Sequence, residues 1–281
     1  MELKNSVVAV TGASSGIGRE IALQLSREGA RMLLVARQTK LLQEVAEEAR
    51  HLGGQAAVAT IDLSVSGGPE SVVESAVREF GSIDVLVNNA GATVFGPFDE
   101  AEPDSIRRVI SINLEAPVLA CRAAIPHFKR NGKGAIVNIA SLAAFATPAW
   151  LATYAITKAG VLALSRNLRF ELRPYGVRVV GVYPGDVDTT FADTAQMTKT
   201  AEPMRKILTG SRRLFVTRQQ VAEVVVEALR KDKNGDLLVG RRARLARPVI
   251  LYGGPIVERS VKGEYEKLLH LAKKMESPGS G

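Results

Sequence analysis

The stretch YAITK, residues 154–158, places a phenol and an ammonium four residues apart inside a long apolar-rich segment. Positions i and i+4 of a helix stack on one face, one turn apart, so Lys158 is positioned to act on Tyr154. A free phenol has a pKa of about 10, too high to shuttle a proton near neutrality, and a neighbouring cation favours the phenolate. A shift of two or three units needs roughly 3–4 kcal/mol of differential stabilisation. Packing alone also produces this spacing, so the pair acquires meaning only from its surroundings.

A second chemical pattern is TGASSGIGRE, with glycines at 12, 16 and 18. It reads G-x-x-x-G-x-G rather than the dinucleotide fingerprint G-x-G-x-x-G, but the physics is shared. Gly12 permits a tight turn, and Gly16 and Gly18 allow close approach of backbone to pyrophosphate and of helix to sheet. The loop residues Ser14, Ser15 and Ile17 lead into a helix whose N–H groups and positive dipole end suit an anion. About twenty residues further on, an NAD-preferring fold carries an acid for the ribose 2′-hydroxyl. This chain has no acid between Glu28 and Glu44, and has Arg37 instead, with Lys40 nearby. A guanidinium pairs with a 2′-phosphate in a bidentate fork, which predicts NADP(H). Asp62, followed by Leu63 in TIDLS, is placed to accept from an adenine amino group; a helix N-cap would look the same.

These residues need a frame, and the chain supplies one. Seven short apolar runs alternate with helical patterns: VVAVTG, RMLLVAR, QAAVATIDL, IDVLVNNAG, GAIVNIAS, VRVVGVYPG and DLLVG. Most are continuous rather than alternating, as in parallel strands buried on both faces. REIALQLSREGA ends at Gly29, a suitable helix C-cap. Repeated βα units predict an α/β fold: one doubly wound Rossmann domain with helices on both faces of a parallel sheet. The expected boundaries are 1–245 for that domain and 246–281 for a C-terminal extension, basic and apolar first, then flexible.

The chain has 281 residues, 46% of them hydrophobic, enough for a substantial core without staples. Its single cysteine, Cys121, reads as a small buried hydrophobe and argues for a reducing compartment. No signal peptide fits and no apolar stretch reads as a membrane span, so a cytoplasmic location is expected. His51, His127 and His270 show no ligand spacing, and no metal site is read from them. The formal net charge is +8; residues 1–190 hold 19 basic and 19 acidic side chains, residues 191–281 hold 18 and 10. A basic C-terminal third suits a solvated surface, an acidic partner or an anionic membrane, with nucleic acid the least favoured.

Taken together, these motifs resemble the short-chain dehydrogenase/reductase family across roughly residues 5–240. TGASSGIG resembles its cofactor loop and NNAG at 88–91 its mark after the fourth strand, bringing in Asn89, Ala90 and Gly91 as cofactor contacts. Asn113 in SINLEAP, Ser141 in NIAS, Tyr154, Lys158 and PGDVDT at 184–189 follow in the family's order. The resemblance implies a seven-stranded sheet of order 3-2-1-4-5-6-7 and a lid at about 190–215. It also implies a homodimer or homotetramer built on the helices carrying Asn113 and Tyr154. The implied reaction is hydride transfer between nicotinamide and a carbonyl or alcohol carbon. Tyr154 would be the proton donor and Lys158 would also bond the nicotinamide ribose. Ser141 would donate to the substrate oxygen. Asn113 would hold a proton-relaying water, or else be a helix-distorting structural residue. Pro184 and Gly185 would shape the turn under the nicotinamide, with Val187 offering an N–H to the carboxamide and Thr189 a phosphate or amide contact. Asp186 departs from the family pattern.

Phe95, Ala143, Phe145 and Trp150 are expected to line an apolar substrate pocket, with Phe98 at its mouth; packing in the core or at an interface is the alternative. Such a pocket suits an acyl or steroid-like carbonyl compound. Lys199, Arg205, Lys206, Arg212 and Arg213 in the lid suggest a carrier-linked substrate. Arg241, Arg242, Arg244 and Arg247, beside the apolar PVILYGGPIV, suggest subunit packing or peripheral membrane contact. The competing function is a non-catalytic NADP(H)-binding sensor or scaffold, against which the intact Ser141, Tyr154 and Lys158 argue.

Overall fold

The computed structural model describes residues 1–189, 191, 194–205, 216–240, 243, 248 and 254–276. Seven parallel strands form one sheet: β1 (Val7–Thr11), β2 (Arg31–Ala36), β3 (Gln55–Thr60), β4 (Val85–Asn88), β6 (Gly134–Ile139), β7 (Val177–Pro184) and β9 (Gly235–Val239). Their order is β3-β2-β1-β4-β6-β7-β9, and β5 (Val94–Phe95) and β8 (Gln196–Met197) pair separately. Without the two short strands this is the order 3-2-1-4-5-6-7.

Residues alternate across the sheet as pleating requires. Val8, Val10 and Leu34 face one core with Ile21, Leu25, Leu42 and Val225. Val7, Ala9 and Leu33 face the other with Val72, Ala76, Phe128 and Leu172. The first layer consists of α1 (Gly16–Arg27), α2 (Thr39–His51) and α8 (Arg218–Arg230), the last opened by a capping box between Thr217 and Gln220. The second holds α3 (Gly68–Phe80), α5 (Ala116–Asn131) and α7 (Ala152–Leu172). A helix of four residues, α6 (Ala143–Ala146), follows β6.

One helical run, α4 (Pro103–Ile110) continuing through a π turn at Ser111–Glu115 into α5, is long and apolar enough by composition to cross a bilayer. From the sequence alone the run is not apparent, because Arg107, Arg108, Asn113, Glu115 and Arg122 interrupt its apolar pattern. Ala120, Cys121, Ala124 and Phe128 on its inner face are packed in the core, as in the central helix of an α/β domain.

The C-terminal extension contains α9 (Gly254–Glu276). Leu268 and Ala272 of this helix are buried against Ala149, Trp150, Ala201 and Met204, making a satellite core beside the strand ends. The expected basic cluster at Arg241, Arg242, Arg244 and Arg247 lies outside the described residues, as do Lys206, Arg212 and Arg213 of the lid.

Candidate active site

The glycine loop and the NNAG segment fold onto one another. Gly12 has φ 66°, and a Cβ there would lie 2.9 Å from the Ala90 Cα. A Cβ on Gly18 would collide with the Gly12 carbonyl and the Asn89 amide. Gly18 is therefore required by loop-on-loop packing. Asn89 Nδ2 donates to the Thr11 carbonyl at 2.9 Å, and the Thr11 hydroxyl accepts from the amides of Asn89 and Ala90 at 2.9 and 3.1 Å. Thr11 is a clamp that sequence reasoning passed over as a strand terminus; its signal was its place directly before the first glycine. Ser15 is the extended N-cap of α1, its side chain makes no cap bond, and the first turn carries no acid. This helix end is thus open to an anionic ligand. Gly16 has φ 55°, and a Cβ there would lie 3.3 Å from the Thr189 methyl, so the PGDVDT turn reaches the loop.

Arg37 is exposed one residue beyond β2. Asp62 caps its own turn, one carboxylate oxygen accepting from the Ser64 amide at 2.9 Å and the Ser64 hydroxyl at 2.6 Å. These bonds hold its carboxyl below the usual range, with the Arg37 and Arg108 guanidiniums adding to the effect. The N-cap of α3 is Gly67, so Asp62 does not cap that helix. Leu63 beside it packs against the core.

The three candidate proton-transfer residues converge from two elements, the turn after β6 and the start of α7. Ser141 follows β6, and its hydroxyl accepts from the Ala143 amide at 3.1 Å. It also interacts with the Tyr154 phenol. Lys158 is 5% exposed, lies 5.4 Å from the Tyr154 ring centroid and donates to the Ile139 carbonyl at 3.1 Å. Burial pushes the phenol up to about 12, opposed by the Ser141 hydroxyl and reinforced by the Asp186 carboxylate. Burial pulls Lys158 down to about 8. The expectation that Lys158 lowers the phenol is therefore not met by the protein alone. The ammonium lies over the ring, and burial is the largest influence on the phenol.

Asn113 is buried in the π turn. Its Oδ1 accepts from the Ala92 amide at 2.7 Å, and its Nδ2 donates to the Ala92 carbonyl at 2.8 Å and the Thr157 hydroxyl at 3.2 Å. Its side chain is engaged by protein groups, which is the structural alternative raised from the sequence. Behind the site, Asn88 Nδ2 donates to Asn138 Oδ1 at 2.8 Å, and Asn138 Nδ2 to the Ser165 hydroxyl at 2.9 Å. This buried chain ties β4, β6 and α7 together. Cys121 completes it as an acceptor 3.3 Å from Asn88 Nδ2, its thiol pushed up to about 12 by burial.

Beyond Tyr154, Pro184 ends β7 and its carbonyl accepts from the Leu142 amide at 2.9 Å. A Cβ on Gly185 would lie 3.4 Å from the Leu142 side chain, and Val187 bridges Val216. Phe191 lies 5.8 Å from the Tyr154 ring and 3.5 Å from where a Gly91 Cβ would stand. It covers the site and was missed as an individual residue; the one aromatic in TTFADT was the signal. The expected pocket residues split in two. Phe145 packs edge-on to Tyr183 at 5.0 Å, in a cluster with Leu238 and Ala243. Phe95 and Trp150 meet at 5.8 Å within the satellite core under α9. Ala143 is buried at the start of α6, and Phe98 is 57% exposed. In the lid, Arg205 grips Glu202 with two bonds of 2.8 and 2.9 Å and donates to the Ala195 carbonyl, so its charge is already engaged.

The geometry is that of a nucleotide loop facing a Ser–Tyr–Lys cluster at the carboxyl ends of parallel strands. The profile described as short chain dehydrogenase matches residues 6–200. This chain belongs to the short chain dehydrogenase family. The dehydrogenase is 36% identical over 204 residues to a 1,6-dihydroxycyclohexa-2,4-diene-1-carboxylate dehydrogenase of Acinetobacter baylyi, covering 72% of this chain and 76% of the relative. Its fold is similar to that of a 3-ketoacyl-(acyl-carrier-protein) reductase from Brucella melitensis complexed with NADH. There the TM-score is 0.73 at 29% identity, over 84% of this chain and 97% of the other. It is also similar to an alcohol dehydrogenase from the archaeon Thermococcus sibiricus complexed with 5-hydroxy-NADP, with TM-score 0.73 at 28% identity, over 85% and 97%.

Proposed function

We propose that this dehydrogenase is an NADP(H)-dependent reductase of apolar carbonyl compounds, with oxidation of the secondary alcohol as the reverse reaction. The observation that carries the reading is the convergence of Ser141, Tyr154 and Lys158 beside an open helix N-terminus. The residues fit a dinucleotide: the loop at 12–18 and the α1 N-terminus would hold the pyrophosphate, Arg37 the 2′-phosphate, Asp62 and Leu63 the adenine. Asn89, Ala90 and Gly91, with Pro184, Gly185, Val187 and Thr189, would border the nicotinamide end. When bound, NADPH supplies the hydride to the carbonyl carbon.

The chain's own residues handle the oxygen. Ser141 donates to it and holds the carbonyl in place. Tyr154 then gives its proton to the oxygen as the alcohol forms. A phenol pushed up to about 12 is fully protonated at neutral pH, which favours its use as a donor in the reducing direction. Lys158, buried at 5% exposure, keeps a positive charge over the Tyr154 ring below about pH 8. The test is NADPH oxidation across a carbonyl panel of increasing chain length. Turnover with at least one apolar member is expected; tight NADPH binding with no turnover anywhere would instead support the sensor reading.

Cofactor choice is read at Arg37. Changing Arg37 to Asp is expected to lower kcat/KM for NADPH by about tenfold to a hundredfold, the loss of one or two charge-assisted bonds. The value for NADH should hold or rise. Equal losses with both cofactors in initial-rate assays would remove Arg37 from recognition of the 2′-phosphate.

A homo-oligomer is proposed through the outer stripe of α7. Ile156 and Phe170 there are 59% and 76% exposed, two heptads apart on one face with the exposed Ala163 between them. Exposed apolar surface of this kind marks protein–protein interfaces. Sedimentation is expected to show a dimer or larger in the parent and a smaller species for Phe170→Arg. An unchanged mass would place the interface elsewhere.

A further inference from the structure

Thr157 stands between the tyrosine and the lysine and is completely buried. Its hydroxyl donates to the Tyr154 carbonyl at 2.8 Å and accepts from Asn113 Nδ2 at 3.2 Å. A hydroxyl has one proton, so the bond to Tyr154 leaves the oxygen's lone pairs for Asn113. The remaining bonds of the Asn113 side chain go to both backbone groups of Ala92. Next to Ala92, a Cβ on Gly91 would touch Asn113 Oδ1 at 3.6 Å and Lys158 Nζ at 4.0 Å. A continuous chain of bonds therefore links the loop after β4, the π turn and the first turn of α7.

The Tyr154 carbonyl is also the helical acceptor for the Lys158 amide. The Thr157 hydroxyl thus bears on the very turn that sets the spacing between phenol and ammonium. Back-bonds of this kind bend helices. Valine at 157 would keep the branched shape, remove the bond to Tyr154 and leave Asn113 with an unpartnered buried N–H. Serine would keep both bonds and lose only a methyl group.

We propose that Thr157 is a positioning residue for the reduction, fixing through Asn113 the helical turn that carries Tyr154 and Lys158. This rests on the reductase reading above. The full chain is compared with Thr157→Val and Thr157→Ser by steady-state kinetics and NADPH binding. Thr157→Val is expected to lose about tenfold to a hundredfold in kcat, the scale of small misplacements of reacting groups. Its NADPH Kd should stay within about twofold, and Thr157→Ser should keep kcat within about threefold. Full kcat in Thr157→Val, or an equal fall in both variants, overturns the proposal.

A second readout separates this from the reductase reading itself. If the parent turns over no carbonyl, that reading fails, and ultraviolet difference titration of the phenol, assigned with Tyr154→Phe, decides the role of Thr157. The charged groups that shift the phenol or lie over its ring are Lys158 and Asp186. Thr157→Val is expected to move the Tyr154 midpoint by about half a unit or more, since a changed Lys158 spacing changes the phenolate's environment; Thr157→Ser should not. An unmoved midpoint in Thr157→Val overturns the proposal.

Discussion

Tyr154→Phe is expected to lower kcat by about a hundredfold to ten-thousandfold, the range attributed to a single positioned proton donor. The substitution removes one oxygen and keeps the ring. The ring's contact with Phe191, at 5.8 Å between centroids, therefore survives. So does the amide chain of Asn113 and Thr157, which reaches only the Tyr154 backbone. NADPH affinity should stay within about twofold, because the loop at 12–18 and Arg37 are untouched. The loss should not be recovered by raising substrate concentration, since the proton is needed at the oxygen and not for binding. If Phe at 154 keeps the parent's kcat, another group supplies the proton.

Lys158→Met is expected to abolish most activity and at the same time to stabilise the fold at neutral pH. Lys158 is 5% exposed and, among the described residues, its ammonium has one hydrogen bond, to the Ile139 carbonyl. Burial pulls its pKa down to about 8 from 10.5. Below pH 8 both the folded and unfolded chains are charged, and the folded state bears the full desolvation cost, on the order of 3 kcal/mol. Losing the hydrogen bond offsets about 1 kcal/mol of the gain from removing that charge. Methionine fills a similar volume and carries no charge.

The pH dependence has a fixed sign. Between about pH 8 and 10.5 the unfolded parent binds more protons at this lysine than the folded one, so its contribution to stability improves as pH rises. The advantage of Lys158→Met should therefore be largest near pH 7 and shrink through that window. Thermal unfolding at pH 7 and at pH 9.5 checks this. A variant less stable than the parent at pH 7 would show that the buried ammonium is better compensated than its one bond suggests.

Much of this was legible in the sequence because it is local. The strands are continuous apolar runs, and the Gly-rich loop and YAITK each sit within one turn or one connection. The sheet order followed from the family's motifs falling in sequence. What was not legible depends on distant partners. Phe95 and Trp150 are drawn into a cluster by Leu268 and Ala272, more than a hundred residues later in the chain. The direction of the Tyr154 shift depends on how deeply the cleft buries it and on Asp186 across the site. Spacing along a helix gives proximity to Lys158 but says nothing about desolvation. Asn113 was read as the holder of a water or as a structural residue, and its side-chain bonds to Ala92, twenty-one residues earlier, were not legible from its own neighbours in sequence. The role of Thr11 needed the third dimension for the same reason: its two amide donors follow β4, the strand paired beside β1 but nearly eighty residues later in the chain.

The proposed reaction moves a hydride from NADPH to a carbonyl carbon, with Tyr154 supplying the proton. Deuterium transfer tests it most directly. The full chain is incubated with an apolar ketone and NADPH deuterated on either face in separate runs, and the alcohol is analysed by mass spectrometry. One deuterium at the carbinol carbon per NADPH consumed from one of the two faces, with Tyr154→Phe transferring almost none in the same time, is the predicted result. NADPH bound tightly with no label reaching any carbonyl, or full label transfer by Tyr154→Phe, would contradict it.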